Sequence, residues 1–488
     1  MNSRHWYLAA LLLTVTAWYS VGNHQGDEHF QILEFAAYKL GWASADDLAW
    51  EFHERMRPAL QPALAYGLTQ LLAAIGVQSP FTVAFLLRWG SAALTLYVAY
   101  RVYVRYRPGV PRALVGVLTV VLLYHWCGYY NGVRFSSENW SGLFAALGLL
   151  TYPLRDAPIR HRFTPGGGSS AWWSGVCFGI AFLCRYQAAL LAVGFGLWLV
   201  IVYRERWPQL ARVVAGGLVT LALAYPLTYW LYGEWTLPAW NYFASNLVEG
   251  KAATYGTLPW YGYLELTFLR GIPPLSLVYI CCTGLYVWHY RRDPVAWMTG
   301  VFVLVHSLLA RKDIRFLFPL LPLLPVLVLG GLRALEHRYG SAVWSRRGVR
   351  IFAGLGLLIN AVLLLTVLFR PAHSGVKVAQ YLYREFPEPI TLTGPTAHIL
   401  LAEDTRPRFY LRPGSRLAPT GPQDSLPTCG PRPDFDPTPC VYITHTRDRK
   451  DVPPQAEVLY TDRSALVDYV NLGGWADREK WWYVYRLR

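Results

Sequence analysis

The stretch IFAGLGLLINAVLLLTVLF, residues 351–369, decides the fold. It carries no charged side chain. Wound as an α-helix at about 1.5 Å per residue it reaches about 28 Å, close to the thickness of a bilayer's hydrocarbon core. Runs of the same character recur upstream as far as Trp6, separated by short Arg-rich stretches. Downstream the chain changes: after Arg370 it is richer in Pro, Asp and Arg and has no comparable run. We therefore read residues 1–370 as an α-helical polytopic membrane domain and residues 371–488 as a small extracytoplasmic α/β domain. Composition agrees, with 54% hydrophobic and 15% charged residues, where soluble chains carry about 25% charged.

A net charge of +15 would suit a nucleic-acid binder. Most of the excess, however, sits at the ends of apolar runs, where it orients helices in a membrane, and no nucleic-acid motif accompanies it. The expected partners are membrane lipids, not nucleic acid. The basic clusters are Arg101/Arg105/Arg107/Arg112, Arg155/Arg160/Arg162, Arg204/Arg206/Arg212, Arg291/Arg292, and Arg333 through Arg350. If each is cytoplasmic, an even number of crossings separates neighbours. Spans beginning near Trp6, Pro80, Ala113, Trp140, Ala171, Ala188, Val213, Ile272, Val295, Phe316 and Ile351 satisfy this, about 11 in all. They put the N-terminus in the cytoplasm and the C-terminus outside. Residues 6–21 are read as an uncleaved first helix, because further spans follow it.

The same parity settles residues 58–76. They are apolar enough to tempt a span, but a crossing there would put the Arg101 cluster outside. They are read as an interfacial or re-entrant helix on the outer face. Residues 23–78 then form a long outer segment bearing Asp27, Glu28, Glu34, Asp46, Asp47, Glu51 and Glu54, and chemistry is most economically placed on that face.

In the tail, residues 376–386 read as helix, and 390–393, 409–411, 441–444, 458–460 and 482–486 as short strands. Cys429 and Cys440 bracket a Pro-rich loop, and an outside location predicts a disulfide between them. Cys127, Cys177, Cys184, Cys281 and Cys282 fall in or beside apolar runs and read as small hydrophobes.

Four constellations could carry chemistry. Around Asp27, a helix would put Asp27, Gln31 and Glu34 on one face and Phe30, Leu33 and Ala37 on another. This suits a carboxylate base at the membrane surface, and equally an amphipathic helix capped by Asp27. In Arg311-Lys312-Asp313-Ile314-Arg315-Phe316, three cations near hydrocarbon suit a lipid phosphate, or an interface anchor. Arg88, Arg134 near Glu138, and Arg185 are ionisable groups in or beside spans, fit for function or for structural ion pairs. In Tyr255-Gly256-Thr257-Leu258-Pro259-Trp260-Tyr261-Gly262-Tyr263, Trp260 and Tyr261 could stack on a sugar or prenyl chain, or belong to an aromatic belt. No P-loop, dinucleotide fingerprint, kinase set, nucleophile elbow or zinc motif is present, which argues against an energised pump and a nucleotide-sugar enzyme. No cofactor is called for and no dedicated metal site is present, though Asp27, Glu28 and Glu138 could meet around a divalent ion in space.

At these four places the chain resembles the mannosyltransferases of GPI-anchor and N-glycan assembly, glycosyltransferase family 22. Their first lumenal loop carries His-Pro-Asp-Glu, then an aromatic and a Gln or Glu; here it reads His24-Gln25-Gly26-Asp27-Glu28-His29-Phe30-Gln31, with Glu34 next. Their His-Lys-Glu-x-Arg-Phe matches Arg311 to Phe316, followed by Leu-Phe-Pro, and their Tyr-Gly-x-x-Pro-Trp matches Tyr255 to Trp260. Two positions depart: Gln-Gly replaces the Pro, and Arg311 stands where the family has His. The resemblance spans residues 1–330 or so and implies a GT-C fold, a polyprenyl-phosphate mannose-like donor, a glycan or glycolipid acceptor and inversion at the anomeric carbon.

On this reading Asp27 is the base, with Glu28 orienting the acceptor or pairing with Arg134. Lys312, Arg315, Arg311 and Arg185 hold the donor phosphate, while Gln31, Glu34, Arg88, Arg134, Glu138, Trp260 and Tyr261 line the substrate. A bacterial inner membrane is the expected location. The competing readings are a glycolipid transporter or flippase, and a GT-C relative moving another group to lipid A or a surface polymer.

Overall fold

The computed structural model describes residues 2–154, 168–394, 407–419, 439–447, 452–463, 467 and 478–487. The chain folds into two compact units. The first comprises Met1–Tyr19, Glu54–Gln61 and Leu86–Arg370; the second Ser20–His53, Pro62–Phe85 and Pro371–Arg488. One of these divisions falls between Arg370 and Pro371. The second unit also takes in two stretches from the N-terminal part of the chain: Ser20–His53 binds the tail through polar groups, and Pro62–Phe85 through the Phe81 ring, as described below.

The first unit is helical. Among the described residues, five helical segments are long and apolar enough to cross a membrane: Pro80–Gly109, which begins in the second unit, Arg112–Gly132, Trp207–Tyr232, Ile314–Tyr339, and Arg347–Glu385, which runs into it. Shorter apolar helices Ser169–Cys184, Tyr186–Ile201, Leu275–His289 and Pro294–Leu308, with Ser3–Tyr19 and Ser137–Thr151, lie on the other expected runs. The protein is a multi-pass membrane protein. Leu60–Ala74, the segment judged by parity, is a helix of 15 residues, the same length as Leu275–His289 and Pro294–Leu308.

Small residues set the helix spacing. Gly175 on Gly168–Cys184 and Gly216 on Trp207–Tyr232 leave no room for a side chain, since an added Cβ would overlap the Val213 carbonyl in one case and the Trp172 carbonyl in the other. Such close backbone approach is the usual packing device between membrane helices. Ile314–Leu323 departs from the expected α-helix and winds as 3₁₀; Pro319 and Pro322 each remove an amide donor, which an α-helical ladder cannot replace.

The second unit contains a sheet whose strands, among the described residues, are β1 (Thr391–Gly394), β2 (Arg416–Pro419), β3 (Cys440–Thr446), β4 (Ala456–Thr461) and β5 (Trp481–Leu487), in the order β2-β1-β3-β5-β4. β1 runs parallel to β2 and β3, and β5 antiparallel to β3 and β4. Helix Ser374–Glu385 buries Val376, Val378, Ala379 and Leu382, and Trp482 Nε1 donates to Ser374 Oγ at 3.0 Å. The run 409–411, expected as a strand, is a turn instead, and β2 was not foreseen. Cys440 is disulfide-bonded; its expected partner Cys429 lies outside the described residues, as does the Arg155/Arg160/Arg162 cluster.

Candidate active site

The residues singled out from sequence fall in both units, and each group is taken within its own.

In the second unit, Asp27 and Glu28 occupy a short helix, Gly26–Glu28. Gln25 holds the N-cap position, so Asp27 is a first-turn residue and not the cap. Asp27 is partly buried and Glu28 buried. A π-turn, His29–Leu33, follows. Its extra residue per turn breaks the i, i+4, i+7 face expected for Asp27, Gln31 and Glu34, and the three side chains part company. Gln31 donates to Glu51 Oε1 at 3.1 Å. Glu34 is buried and accepts from the backbone amides of Arg408 (2.9 Å) and Phe409 (3.1 Å). His29 Nε2 lies 2.6 Å from Glu34 Oε1, and its ring stacks on Tyr410 at 5.4 Å between centroids. Asp47 accepts from the Ser44 amide and hydroxyl and lies 3.5 Å from an Arg408 guanidinium nitrogen. Burial alone would raise the Asp47 carboxyl, but the Ser44 hydrogen bonds and the Arg408 charge outweigh it and hold it below its ordinary value.

In the first unit the structure brings together three of the predicted constellations. Ser136 caps helix Ser137–Thr151 by accepting from the Asn139 amide at 3.3 Å. This cap presents Glu138, buried, to Arg185: Arg185 Nη1 donates to Glu138 Oε1 at 2.8 Å and to Ser137 Oγ at 3.0 Å. The Arg185 guanidinium also lies over the Phe316 ring, 5.3 Å from its centroid. The sequence reading placed Arg134 near Glu138; the ion-pair partner observed is Arg185. Arg134 is buried. Arg88 is buried too, its Nε donating to the Ala17 carbonyl at 2.9 Å, which ties Pro80–Tyr106 to the first helix.

The two outer motifs are laced to each other. The Leu258 amide donates to the Ala310 carbonyl at 3.0 Å, and Arg311 donates to the Tyr255 carbonyl. Lys312 is 4% exposed. Its ammonium donates to the carbonyls of Leu258 (3.1 Å) and Leu309 and sits over the Tyr263 ring. Among the described residues it meets no carboxylate. Burial pushes its pKa below the ordinary lysine value. Arg315, three residues on, has Nε 3.2 Å from Asp313 Oδ2, and Asp313 also accepts from the Arg315 amide. Trp260 and Tyr261 are 69% and 48% exposed. Tyr263, which the sequence reading did not single out, is the buried aromatic of this loop. Only its spacing from Lys312 in three dimensions marks it.

Among the described residues no three His, Cys, Asp or Glu side chains are grouped to hold a metal ion. What the first unit offers is a buried cation with neutral partners, which is a fitting seat for an anion.

A model of the Alg9-like mannosyltransferase family matches residues 5–402. The chain is 26% identical over 308 residues to GPI mannosyltransferase 3 of Candida albicans, covering 62% of this chain and 58% of that protein. To GPI alpha-1,2-mannosyltransferase 3 of Homo sapiens it is 23% identical, covering 61% and 51%. The chain thus spans little more than half the length of these relatives. Among solved structures, ArnT from Cupriavidus metallidurans in the apo state superposes with a TM-score of 0.51 at 13% identity, over 98% of this chain and 97% of that one. The fold it shares is GT-C.

Proposed function

The chain belongs to the Alg9-like mannosyltransferase family, and from that premise we propose that it transfers mannose from a polyprenyl-phosphate donor to a glycan or glycolipid acceptor outside the cytoplasm. Asp27 takes the proton from the acceptor hydroxyl as that oxygen attacks the anomeric carbon. The bond from that carbon to the phosphate oxygen breaks, the electron pair leaves with the polyprenyl phosphate, and the configuration inverts. Lys312 and Arg315 hold the phosphate as its negative charge grows, with Arg311 beside them. Glu28 orients the acceptor. The cell compartment on this reading is the outer face of a bacterial inner membrane, with the N-terminus in the cytoplasm and the tail outside.

The observation that carries the reading is Lys312. A buried ammonium without a counter-charge costs several kcal/mol, and a lipid phosphate is the anion that a membrane enzyme of this family meets. The test is an assay of the purified chain in nanodiscs with undecaprenyl phosphate-linked mannose or glucose and synthetic mannosyl lipids as acceptors. We expect mannose transfer, release of undecaprenyl phosphate and an inverted product. Folded protein that transfers neither sugar, or that retains configuration, would refute the proposal.

A further inference from the structure

The family match ends at residue 402, yet the second unit ties residues beyond that point to the segment carrying Asp27 and Glu28. Two clamps bracket the acidic pair. On one side, the amides of Ala372 and His373 both donate to the Val21 carbonyl, at 2.9 and 3.1 Å. Gly22, at φ +90°, makes this approach possible, because a Cβ there would sit 2.7 Å from His373 Cβ. On the other side, the two oxygens of Glu34 each take one amide hydrogen, from Arg408 and Phe409. The second clamp is reinforced by rings: Tyr410 stacks on His29 on one face, and on Phe81 at 4.9 Å. Phe409 is fully buried. A carboxylate buried at 1% exposure with both oxygens engaged by backbone amides is a fixed joint.

We infer that Glu34 is a positioning residue that makes the tail a working part of the active site: through Arg408 and Phe409 it fixes the distal end of the segment on which Asp27 and Glu28 stand. The inference rests on Asp27 being the base. It assigns Glu34 a role different from lining the substrate, and it explains why residues 409–411 form a turn rather than a strand. Their neighbouring amides are spent on Glu34.

The test uses the full-length chain and two variants. Glu34→Gln keeps the shape but replaces one acceptor by an NH₂ that faces an amide donor. Tyr410→Leu loosens the same clamp from the tail side by removing the ring stacked on His29. Hydrogen exchange and transfer kinetics, with undecaprenyl phosphate-linked mannose and a synthetic mannosyl lipid, are measured on each. Exchange should quicken together at residues 26–33 and 408–411, and kcat should fall about tenfold while donor KM stays within about twofold, the pattern of a misplaced reacting group. Quickening confined to 408–411, or an unchanged kcat, would overturn the inference. Should Glu34→Gln fail to fold, Tyr410→Leu decides by the same two readings. Asp27→Asn, run in parallel, separates the two ideas: if it keeps full turnover, the base assignment falls, whereas coupled exchange in Glu34→Gln tests the clamp regardless of it.

Discussion

Two buried charge sites in the first unit look alike in sequence and differ in kind. Arg185 and Lys312 are both cations beside apolar runs, and both are at 4% exposure. Arg185 has its carboxylate, Glu138, at 2.8 Å, so the pair neutralises itself. Lys312 has two carbonyls and a ring face, which solvate its hydrogens without cancelling its charge. Desolvating an ion is expensive in either case. On the proposed function, compensation comes from inside the chain for Arg185 and from the donor phosphate for Lys312. From sequence both residues share one expected donor-phosphate role; their partners in the structure differ. Glu34 makes the same point for the acids, since its oxygens are consumed by amides of its own unit.

The largest effect expected is on Asp27. If it is the base, Asp27→Asn should lose about 10²–10⁴ in transfer rate while the protein purifies folded, because Asn has nearly the same shape as Asp. Near-normal turnover would take the role of base from Asp27. A dead Glu28→Gln beside it would move the role one residue along.

Next comes the self-neutralised pair. Arg185→Met leaves Glu138 buried and uncompensated, and should destabilise the protein by about 3–5 kcal/mol, whereas Arg185→Met with Glu138→Leu should recover most of that loss. Thermal unfolding in detergent reads both. If the double variant is no more stable than the single one, the pair is not self-contained and the contrast with Lys312 weakens.

Lys312→Met should behave in the opposite sense. Without donor its melting temperature should not drop as that of Arg185→Met does, because a buried charge has been removed rather than orphaned. Donor binding should weaken at least about tenfold, or about 1.4 kcal/mol. Titration with undecaprenyl phosphate-linked mannose checks this. Normal affinity together with a large loss of stability would make Lys312 a structural anchor like Arg185.

The fold was legible because lipid leaves the backbone few solutions: apolar runs must be helices, and the change of character after Arg370 marks the start of the tail. The outer motifs were legible as local strings, and Arg311 to Phe316 with Tyr255 to Tyr263 do come together. What could not be read were the long-range pairings. Glu138 finds Arg185 across 47 positions and Glu34 finds Phe409 across 375; no periodicity encodes such a choice. The π-turn at His29–Leu33 is likewise a tertiary adjustment. It turns Glu34 off the face that a regular helix would give it and toward the amides of Arg408 and Phe409.

The smallest effect expected lies at Asp47, and it tests whether charge in the second unit serves structure alone. Asp47 and Arg408, 3.5 Å apart, are at 8% and 19% exposure, so water screens the pair in part and its worth is about 1 kcal/mol or less. The Asp47 carboxyl is held below its ordinary value of 3.8. A depressed carboxyl stabilises the folded state fully above its unfolded pKa, and that contribution disappears as pH falls through the folded value. Asp47→Asn cannot follow this course, because Asn does not titrate. Its side-chain carbonyl still accepts from Ser44, so the box at residues 44–47 survives and only the charge is lost. Stability measured against pH should therefore show the variant lower than wild type by about 1 kcal/mol at pH 7. The gap should stay constant down to about pH 5 and close below about pH 4, where the wild-type carboxyl takes up its proton. Transfer kinetics at pH 7 should match wild type within about twofold, since the pair uses the Arg408 guanidinium whereas the clamp uses its backbone amide. A gap that persists undiminished at pH 3 would mean that the amide disturbs packing, not charge. A tenfold loss of kcat at pH 7 would place Arg408's side chain, and not only its backbone amide, in the positioning of the acidic pair.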